Sequence, residues 1–366
     1  MKYDYLIIGA GFAGSVMAER LATQLNKKVL VVEKRNHIAG NAFDEFEEHG
    51  ILVHRYGPHI FHTNSKEVFD YLSQFTEWIP YEHKVLAKIG DELFPIPINR
   101  ITINKLYGLN LTTDKEVKNY FESVREKRFP ILNSEDIIVN QVGKDLFEKF
   151  FKHYTKKQWN LEAKELSPSV CGRIAVRTND DCRYFTDKYQ FMPKDGYTKM
   201  FEKMLNHKNI EVILNTDYKS ILNSVKFDKM IYTGPIDYFF DYKFGKLPYR
   251  SIRFEFDNLN QQEFQQTSQV NYVDSSVEYT RIIEHKKLNQ QNSDTTTISY
   301  EFPQQEGEPF YPIPTEENRH QYILYKNEAE KLSNVIFCGR LAEYQYYNMD
   351  QVVAASLKKF NELFRR

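Results

Sequence analysis

The chain has 366 residues, with 49 Lys and Arg against 50 Asp and Glu, so its formal net charge is -1. This length predicts two or three domains, and the balanced charge gives no broad field for nucleic acid or an anionic membrane, so neither is an expected partner. The three cysteines (Cys171, Cys182 and Cys338) lack the paired pattern of disulfides or metal sites, and no apolar run approaches 18 residues. We therefore expect a soluble, cytoplasmic protein.

The first 33 residues predict a strand, a helix and a second strand. Residues 3–9 and 28–33 are apolar enough to be buried strands, and apolar residues recur at helical spacing between them. Gly9, Gly11 and Gly14 fit the G-x-G-x-x-G pattern, and Glu33 ends the second strand. In this pattern the glycines permit a tight turn and a close approach to a pyrophosphate, and the acid accepts hydrogen bonds from a ribose. The segment predicts a dinucleotide site.

The C-terminal end distinguishes FAD from NAD. The segment VIFCGRLAEYQYYNMDQVVAAS predicts a strand ending at Gly339 and Arg340, a loop, and a helix beginning near Asp350. Many FAD proteins of the glutathione-reductase type end in this way, with the helix N-terminus directed at the flavin. Arg340 is placed to reach the pyrophosphate. These features favour FAD, whereas a plain NAD dehydrogenase needs no such element.

The rest of the chain predicts an α/β fold with a Rossmann-like FAD-binding domain, an inserted helical domain and an antiparallel β-sheet domain. Helices are expected near 66–75, over much of 100–160, at 197–206, at 320–332 and from 350, with a hairpin turn at 89–92. Pro168 and Gly172 interrupt the helical pattern, so residues 167–182 are predicted to form a mobile loop. The domains are the FAD-binding domain (1–80, 197–250 and 320–366), the helical domain (100–165) and the β-sheet substrate domain (81–99, 180–196 and 251–319).

Several segments resemble the bacterial UDP-galactopyranose mutases over essentially the whole chain. They are EKRNHIAGN, YGPHIFHT, YTKKQW, the loop carrying Arg173, NYVD with Arg281, YPIP and CGRLAEYQYYNMD. The chain departs from the family at Ala39, where a second glycine is usual, and at the pair Glu82 and His83. The first departure matters only if residue 39 needs a positive φ angle.

The resemblance implies an isomerase that interconverts UDP-galactopyranose and UDP-galactofuranose for the synthesis of cell-wall polysaccharide. It implies that FAD is active in its reduced form, that its N5 atom attacks the anomeric carbon of the sugar, and that no net redox change occurs. It further implies an external reductant such as NAD(P)H and a homodimer.

The resemblance also assigns site residues. The catalytic set is Arg173, Arg281 and His59, with FAD N5 as the nucleophile. The expected cofactor-binding residues are Gly9, Gly11, Phe12, Ala13, Gly14, Glu33, Lys34, Gly40, Asn41, His59, Ile60, Arg340, Tyr347, Asn348, Met349, Asp350, Gln351 and Val352. The expected substrate-binding residues are His83, Tyr154, Thr155, Trp159, Arg173, Tyr184, Phe185, Asn271, Arg281, Tyr311 and Tyr346, with Tyr184 and Phe185 stacking on uracil. No metal is expected, because no cysteine or paired acid joins His59 and His62 at ligand spacing.

Two other classes stay open on the residues alone. A flavin-dependent oxidoreductase of the amine-oxidase type would share the FAD fold, and its mark would be oxygen consumption with a defined amine or alcohol. A non-catalytic sensor would bind a nucleotide sugar without turnover.

Overall fold

The computed structural model describes residues 2–364. The strands are β1 (Lys2–Ile8), β2 (Val29–Val32), β3 (Asp44–Phe46), β4 (Leu52–His54), β5 (Phe61–Thr63), β6 (Trp78–Pro80), β7 (Val85–Ile89), β8 (Glu92–Ile96), β9 (Tyr189–Pro193), β10 (Ile210–Ile213), β11 (Lys226–Tyr232), β12 (Tyr249–Leu259), β13 (Gln269–Tyr272), β14 (Arg281–Glu284), β15 (Thr296–Gln304), β16 (Tyr311–Pro312) and β17 (Val335–Phe337).

The helices connect and cover these strands. They are α1 (Phe12–Leu25), α2 (Lys66–Leu72), α3 (Arg100–Tyr107), α4 (Asp114–Val124), α5 (Ser134–Val142), α6 (Lys144–Phe147), α7 (His153–Trp159), α8 (Pro168–Gly172), α9 (Tyr197–Leu205), α10 (Tyr218–Ile221), α11 (Ile236–Phe239), α12 (His285–Leu288), α13 (Glu316–Ala329) and α14 (Met349–Phe364). A π-helical segment, Glu148–Lys152, joins α6 to α7. Within residues 2–364 no helix is long and apolar enough to cross a membrane.

A five-stranded parallel sheet forms the Rossmann-like part, in the order β10-β2-β1-β11-β17. Its central strands are covered on both faces, which is why they read as continuous apolar runs. Ile7 and Val31 pack with α1, α9 and α14 on one face, whereas Leu6 and Leu30 pack with Tyr218 on the other. The predicted strand, helix and strand are therefore confirmed, and so is the α/β fold class.

A seven-stranded mixed sheet forms the second layer, in the order β16-β12-β15-β14-β13-β7-β8. Its pairs are antiparallel except β13 with β7, which run parallel. The predicted turn between β7 and β8 is present, with Gly90 at a φ of 58°. Helices from the 100–172 region pack against this sheet, so Phe94 and Ile252 of the sheet share a core with Phe121 and Phe150.

Two expectations need correction. Strand β9, which we assigned to the β-sheet substrate domain, pairs instead with β5 and β6 in a separate three-stranded sheet. Its Met192 is buried in the core of the Rossmann-like part together with Phe61, so this burial decides where the strand pairs. The other predicted domain boundaries stay predictions.

The second correction concerns residues 167–182, where we expected a loop without helix. Pro168–Gly172 forms the short helix α8, with Pro168 in its first turn. Proline is favoured there because its fixed φ suits a helix and the first N–H groups have no partner inside the helix. The mobility of the segment stays a prediction.

Candidate active site

A cavity of about 1080 Å³ opens at the carboxyl ends of the parallel strands, where ligands bind in open α/β sheets. Twelve of the expected cofactor-binding residues line it: Gly9, Gly11, Phe12, Ala13, Glu33, Lys34, Gly40, Asn41, His59, Arg340, Met349 and Val352. The structure thus brings the N-terminal and C-terminal segments together around one space.

Glycines bring the backbone close to this cavity at the turn after β1. Gly9 has a φ of 101°, and a Cβ atom on it would lie 2.2 Å from the Thr233 hydroxyl oxygen. A Cβ on Gly40, at a φ of 56°, would lie 3.0 Å from the Gly11 Cα. Ala39, where the family usually has glycine, adopts a φ of 72°. The position therefore requires a positive φ, and alanine there costs about 1 kcal/mol of conformational strain.

Glu33 holds the glycine turn in place. One carboxylate oxygen accepts a hydrogen bond from the Ala10 N–H at 2.9 Å, and the other accepts from the Arg35 N–H at 3.0 Å. A carboxylate has about four lone-pair sites, so two acceptor positions are still free for ribose hydroxyls.

Arg340 brings a positive charge to the same cavity. Its guanidinium donates to the Phe310 carbonyl at 3.0 Å, and burial lowers the pKa of Arg340. No carboxylate in the described chain lies within ion-pair distance of it. A buried guanidinium with unused donors matches a diphosphate, and the neighbouring N-terminus of α14 adds the positive end of a helix dipole.

Six of the expected cofactor-binding residues do not line the cavity: Gly14, Ile60, Tyr347, Asn348, Asp350 and Gln351. Gly14 has a packing role, because a Cβ there would lie 1.9 Å from the Gly9 carbonyl oxygen. The Gln351 side chain accepts from the Asn348 N–H at 2.9 Å and so caps the start of α14.

His59 lies in the wall of the larger cavity in its neutral form. Its Nδ1 lies 2.9 Å from the Gly57 carbonyl oxygen, which only accepts, so Nδ1 carries the proton and Nε2 is the acceptor. Burial lowers the pKa of His59 to about 3. Its backbone N–H donates to Nδ1 of His54 at 3.2 Å, which orients the loop.

A second cavity of about 110 Å³ lies between α7, α8, the strands β13, β14 and β16, and the segment after Arg340. Nine of the expected substrate-binding residues line it: Tyr154, Thr155, Trp159, Arg173, Tyr184, Asn271, Arg281, Tyr311 and Tyr346. They come from segments up to 192 residues apart, from Tyr154 to Tyr346.

The charge around the second cavity is positive. The Arg281 Nε donates to Glu301 at 2.5 Å, and although burial disfavours the charge, Glu301 raises the pKa of Arg281. Arg173 lies over the Tyr346 ring, 4.9 Å from its centroid. Burial opposes ionisation of Tyr346, but Arg173, Arg340 and Arg281 outweigh it and lower the pKa of its hydroxyl. Arg173 and Arg281 line this cavity and Arg340 acts on the same Tyr346 hydroxyl, an arrangement that suits a diphosphate.

Phe185 and His83, both expected to bind substrate, do not line this cavity. The Phe185 ring stacks on His62 at a centroid distance of 3.6 Å, and His83 is buried with its Nε2 3.3 Å from the Gln269 side-chain oxygen. Tyr184 lines the cavity while its neighbour Phe185 packs into the core behind it, since successive side chains of an extended segment point to opposite sides.

Two residues near the second cavity were missed by the sequence reasoning. Gln158 donates to the Tyr311 hydroxyl, and its place within YTKKQW was a usable signal. No sequence signal pointed to Glu301, because only the register between β14 and β15 places it opposite Arg281. In the described part of the chain no cluster of three or more metal-ligating side chains occurs.

The chain is similar to proteins of known family in both sequence and fold. The sequence profile of the UDP-galactopyranose mutase family matches residues 149–346, and that of NAD(P)-binding Rossmann-like domains matches residues 7–75. A probable UDP-galactopyranose mutase of Klebsiella pneumoniae is 36% identical over 364 residues, covering 98% of this chain and 94% of that protein. The chain belongs to the UDP-galactopyranose mutase family. This membership makes it an enzyme of the mutase class.

One further sequence relative and one solved structure are also similar to this chain. A dTDP-fucopyranose mutase of Escherichia coli is 35% identical, covering 96% of each chain. The crystal structure of a reduced UDP-galactopyranose mutase has the same fold, with a TM-score of 0.80, 15% identity, and coverage of 99% of this chain and 95% of that one. Family members therefore include proteins named for different nucleotide sugars.

Proposed function

We propose that the protein interconverts UDP-galactopyranose and UDP-galactofuranose with bound, reduced FAD and no net redox change. The observation that carries this proposal is the convergence of Arg173, Arg281 and Arg340 on the Tyr346 hydroxyl, with Arg340 lining the larger cavity and the other two lining the smaller one. Isomerisation through release and return of UDP needs positive charge at a leaving diphosphate, and these side chains supply it.

The larger cavity fits FAD. The turn at Gly9 and Gly11 and the close approach of Gly40 leave room for a pyrophosphate against the backbone. Glu33 would accept from the adenosine ribose, and Arg340 would contact the pyrophosphate. When bound and reduced, FAD supplies a nucleophilic N5 atom for the anomeric carbon of the sugar.

The chain's own residues hold the substrate around that step. Arg173 and Arg281 would bind the diphosphate and stabilise the charge that develops as UDP leaves, assisted by the Tyr311 and Tyr346 hydroxyls. Tyr184 offers a ring for the uracil, and Asn271, Thr155 and Trp159 border the same space. Neutral His59 offers an acceptor nitrogen on the flavin side.

A second candidate substrate is dTDP-fucopyranose, because the E. coli relative named for it is about as similar as the K. pneumoniae one. The same arginines would serve either diphosphate. Parallel assays with both sugars decide between them, and the higher kcat/KM identifies the substrate.

The proposal also includes the external reductant, the oligomeric state and the cellular location of the protein. We propose NAD(P)H as the external reductant and a homodimer in the cytoplasm as the working form, as the family resemblance implies. Sedimentation velocity tests the dimer.

The decisive experiment compares the activity of the protein with reduced flavin and with oxidised flavin. The purified protein is expected to be yellow, and incubation with UDP-galactofuranose plus dithionite is expected to yield UDP-galactopyranose on chromatography. Equal activity with air-oxidised flavin and no reductant would contradict the N5 chemistry. Oxygen consumption with an amine or alcohol would point to the oxidoreductase class, and UDP binding without turnover to the sensor class.

A further inference from the structure

Lys157 lies in the middle of α7 but does not line the cavity that its neighbours line. Thr155, Gln158 and Trp159 of the same helix face the second cavity, whereas Lys157 extends to the 273–280 loop that joins β13 to β14. The mutase chemistry leaves this half-buried amine without a role.

The ammonium of Lys157 is bonded by backbone carbonyls alone. Its nitrogen lies 2.8 Å from the carbonyl oxygen of Tyr272, 3.0 Å from that of Tyr279 and 3.2 Å from that of Val277. An ammonium has three hydrogens, so all of its donors are used. No carboxylate within residues 2–364 lies at ion-pair distance from it, so attraction to a surface acid does not explain its position.

These carbonyls flank the two substrate-facing residues of the hairpin. Asn271 precedes Tyr272 by one position, and Arg281 follows Tyr279 by two. The ladder between β13 and β14 includes the pair formed by Asn271 and Arg281, and one further backbone hydrogen bond follows it, from the Tyr272 N–H to the Thr280 carbonyl oxygen at 2.9 Å. Beyond that bond, Lys157 holds the loop through its backbone carbonyls.

The other side of α7 is anchored as well. Arg250, which is 2% exposed, donates to the carbonyl oxygens of Gln158 at 2.9 Å and Lys157 at 3.4 Å. Arg250 therefore fixes the end of α7. The Lys157 ammonium, which is carried by this helix, in turn holds the 273–280 loop in place.

We propose that Lys157 is a positioning residue that ties the β13–β14 hairpin to α7 and so sets Asn271 and Arg281 at the spacing that a nucleoside diphosphate sugar requires. This inference rests on the proposed function and extends it to a residue that touches no substrate.

The hydrogen bonds between the Lys157 ammonium and the loop depend on pH. Burial lowers the pKa of Lys157 to about 8, while Asp274 in the same loop acts in the opposite direction. The other charged or titratable groups in or facing the loop are Glu278, Lys88 over the Tyr272 ring, and the hydroxyls of Tyr272, Tyr279 and Tyr300, whose pKa values are raised by burial. Above about pH 8 the amine has only two hydrogens for three carbonyls, and the tie weakens.

The experiment compares Lys157→Met and Lys157→Arg with Lys156→Met. Lys156 is the matched control, because it lies on the same helix, is exposed and pairs with Glu162 at 3.1 Å. Each variant is assayed for FAD content, UDP dissociation constant and kcat/KM from about pH 6 to about 10, a range that spans the lowered pKa of Lys157.

We expect Lys157→Met to lose about tenfold to a hundredfold in kcat/KM and in UDP affinity at unchanged FAD content, the scale of lost hydrogen bonds to a charged donor. Lys157→Arg is expected to recover most of the loss and to stay active at a higher pH than the wild type, because a guanidinium keeps its charge. Lys156→Met is expected to match the wild type.

Either of two results overturns the proposal. One is a Lys157→Met variant with wild-type UDP affinity and kcat/KM. The other is a Lys157→Arg variant whose activity falls at the same alkaline pH as the wild type, and this result decides even if the Met variant does not fold. Failure of the proposed function looks different, since the wild type itself would then leave UDP-galactofuranose unchanged.

Discussion

The two cavities of this enzyme both join distant segments of the chain, but they differ in how far glycine backbone shapes them. The larger one has walls of backbone at Gly9, Gly11 and Gly40, and the residues that shape its turn lie within the first 42 positions. The smaller one is made of side chains from segments scattered between residues 96 and 346. A site made of backbone tolerates little change in local conformation, whereas a side-chain site depends on how distant segments pack.

The cavities also differ in how they compensate charge. Arg340 in the larger cavity donates only to a backbone carbonyl, while Arg281 in the smaller one is paired with buried Glu301. Pairing with Glu301 fixes the guanidinium and still leaves donors for a ligand. Arg173 lies over the Tyr346 ring instead and hydrogen-bonds the Tyr346 hydroxyl, and no carboxylate of the described residues pairs with it.

The largest expected effect comes from removing a positive charge from the smaller cavity while the larger one is left unchanged. Arg173→Ala is expected to lower kcat by about 10²–10³, the loss typical of one transition-state charge stabiliser, with FAD content unchanged. Arg173→Lys is expected to recover only part, since a point charge lacks the forked donor. Steady-state kinetics and the flavin absorbance of the same preparations give both quantities.

The control for this prediction is Arg253→Ala, since Arg253 is an exposed arginine paired with Glu255. It is expected to keep wild-type kcat. Near-normal turnover of Arg173→Ala would show that Arg173 is only a packing residue.

A smaller effect tests the backbone-built cavity. Gly9→Ala adds strain at a positive φ and a Cβ 2.2 Å from the Thr233 hydroxyl, and overpacking of this kind costs about 1–3 kcal/mol. We expect FAD affinity to fall by about tenfold, as judged by equilibrium titration of the apoprotein.

Gly50→Ala is the matched control for Gly9→Ala. Gly50 also has a positive φ, 80°, but a Cβ there meets nothing within 4 Å. It is expected to lower the melting temperature slightly and to leave FAD affinity unchanged. Equal losses of FAD affinity in both variants would assign the effect to strain alone.

The smallest expected effects compare two adjacent aromatic residues. Tyr184→Leu is expected to weaken UDP binding by about 1 kcal/mol, the lower end of the range for lost stacking on a base, because leucine keeps part of the apolar contact. Phe185→Leu is expected to leave UDP binding nearly unchanged, because the Phe185 ring packs on His62 away from the cavity. Calorimetric titration with UDP measures both, and a larger loss for Phe185→Leu would restore it as the stacking residue.

Much of the fold was predictable where the pattern is local. The first two strands and their helix follow from apolar spacing, and α9 and α14 lie close to the predicted positions. The sequence pattern did not predict α8, which begins at Pro168. A single turn of helix is too short to show the apolar periodicity by which longer helices are recognised. The candidate site was predictable by resemblance, and nine of the residues expected to bind substrate line one cavity.

The sequence by itself determined the glycine turn, the buried parallel strands and the positions of most helices, since each depends on neighbours a few residues away. Only the tertiary structure decided that β9 pairs with β5 and β6, that Glu301 lies opposite Arg281, and that Lys157 reaches the 273–280 loop. The reason is physical: backbone donors and acceptors are alike in every strand, so the choice of partner rests on packing between segments that are distant in the chain.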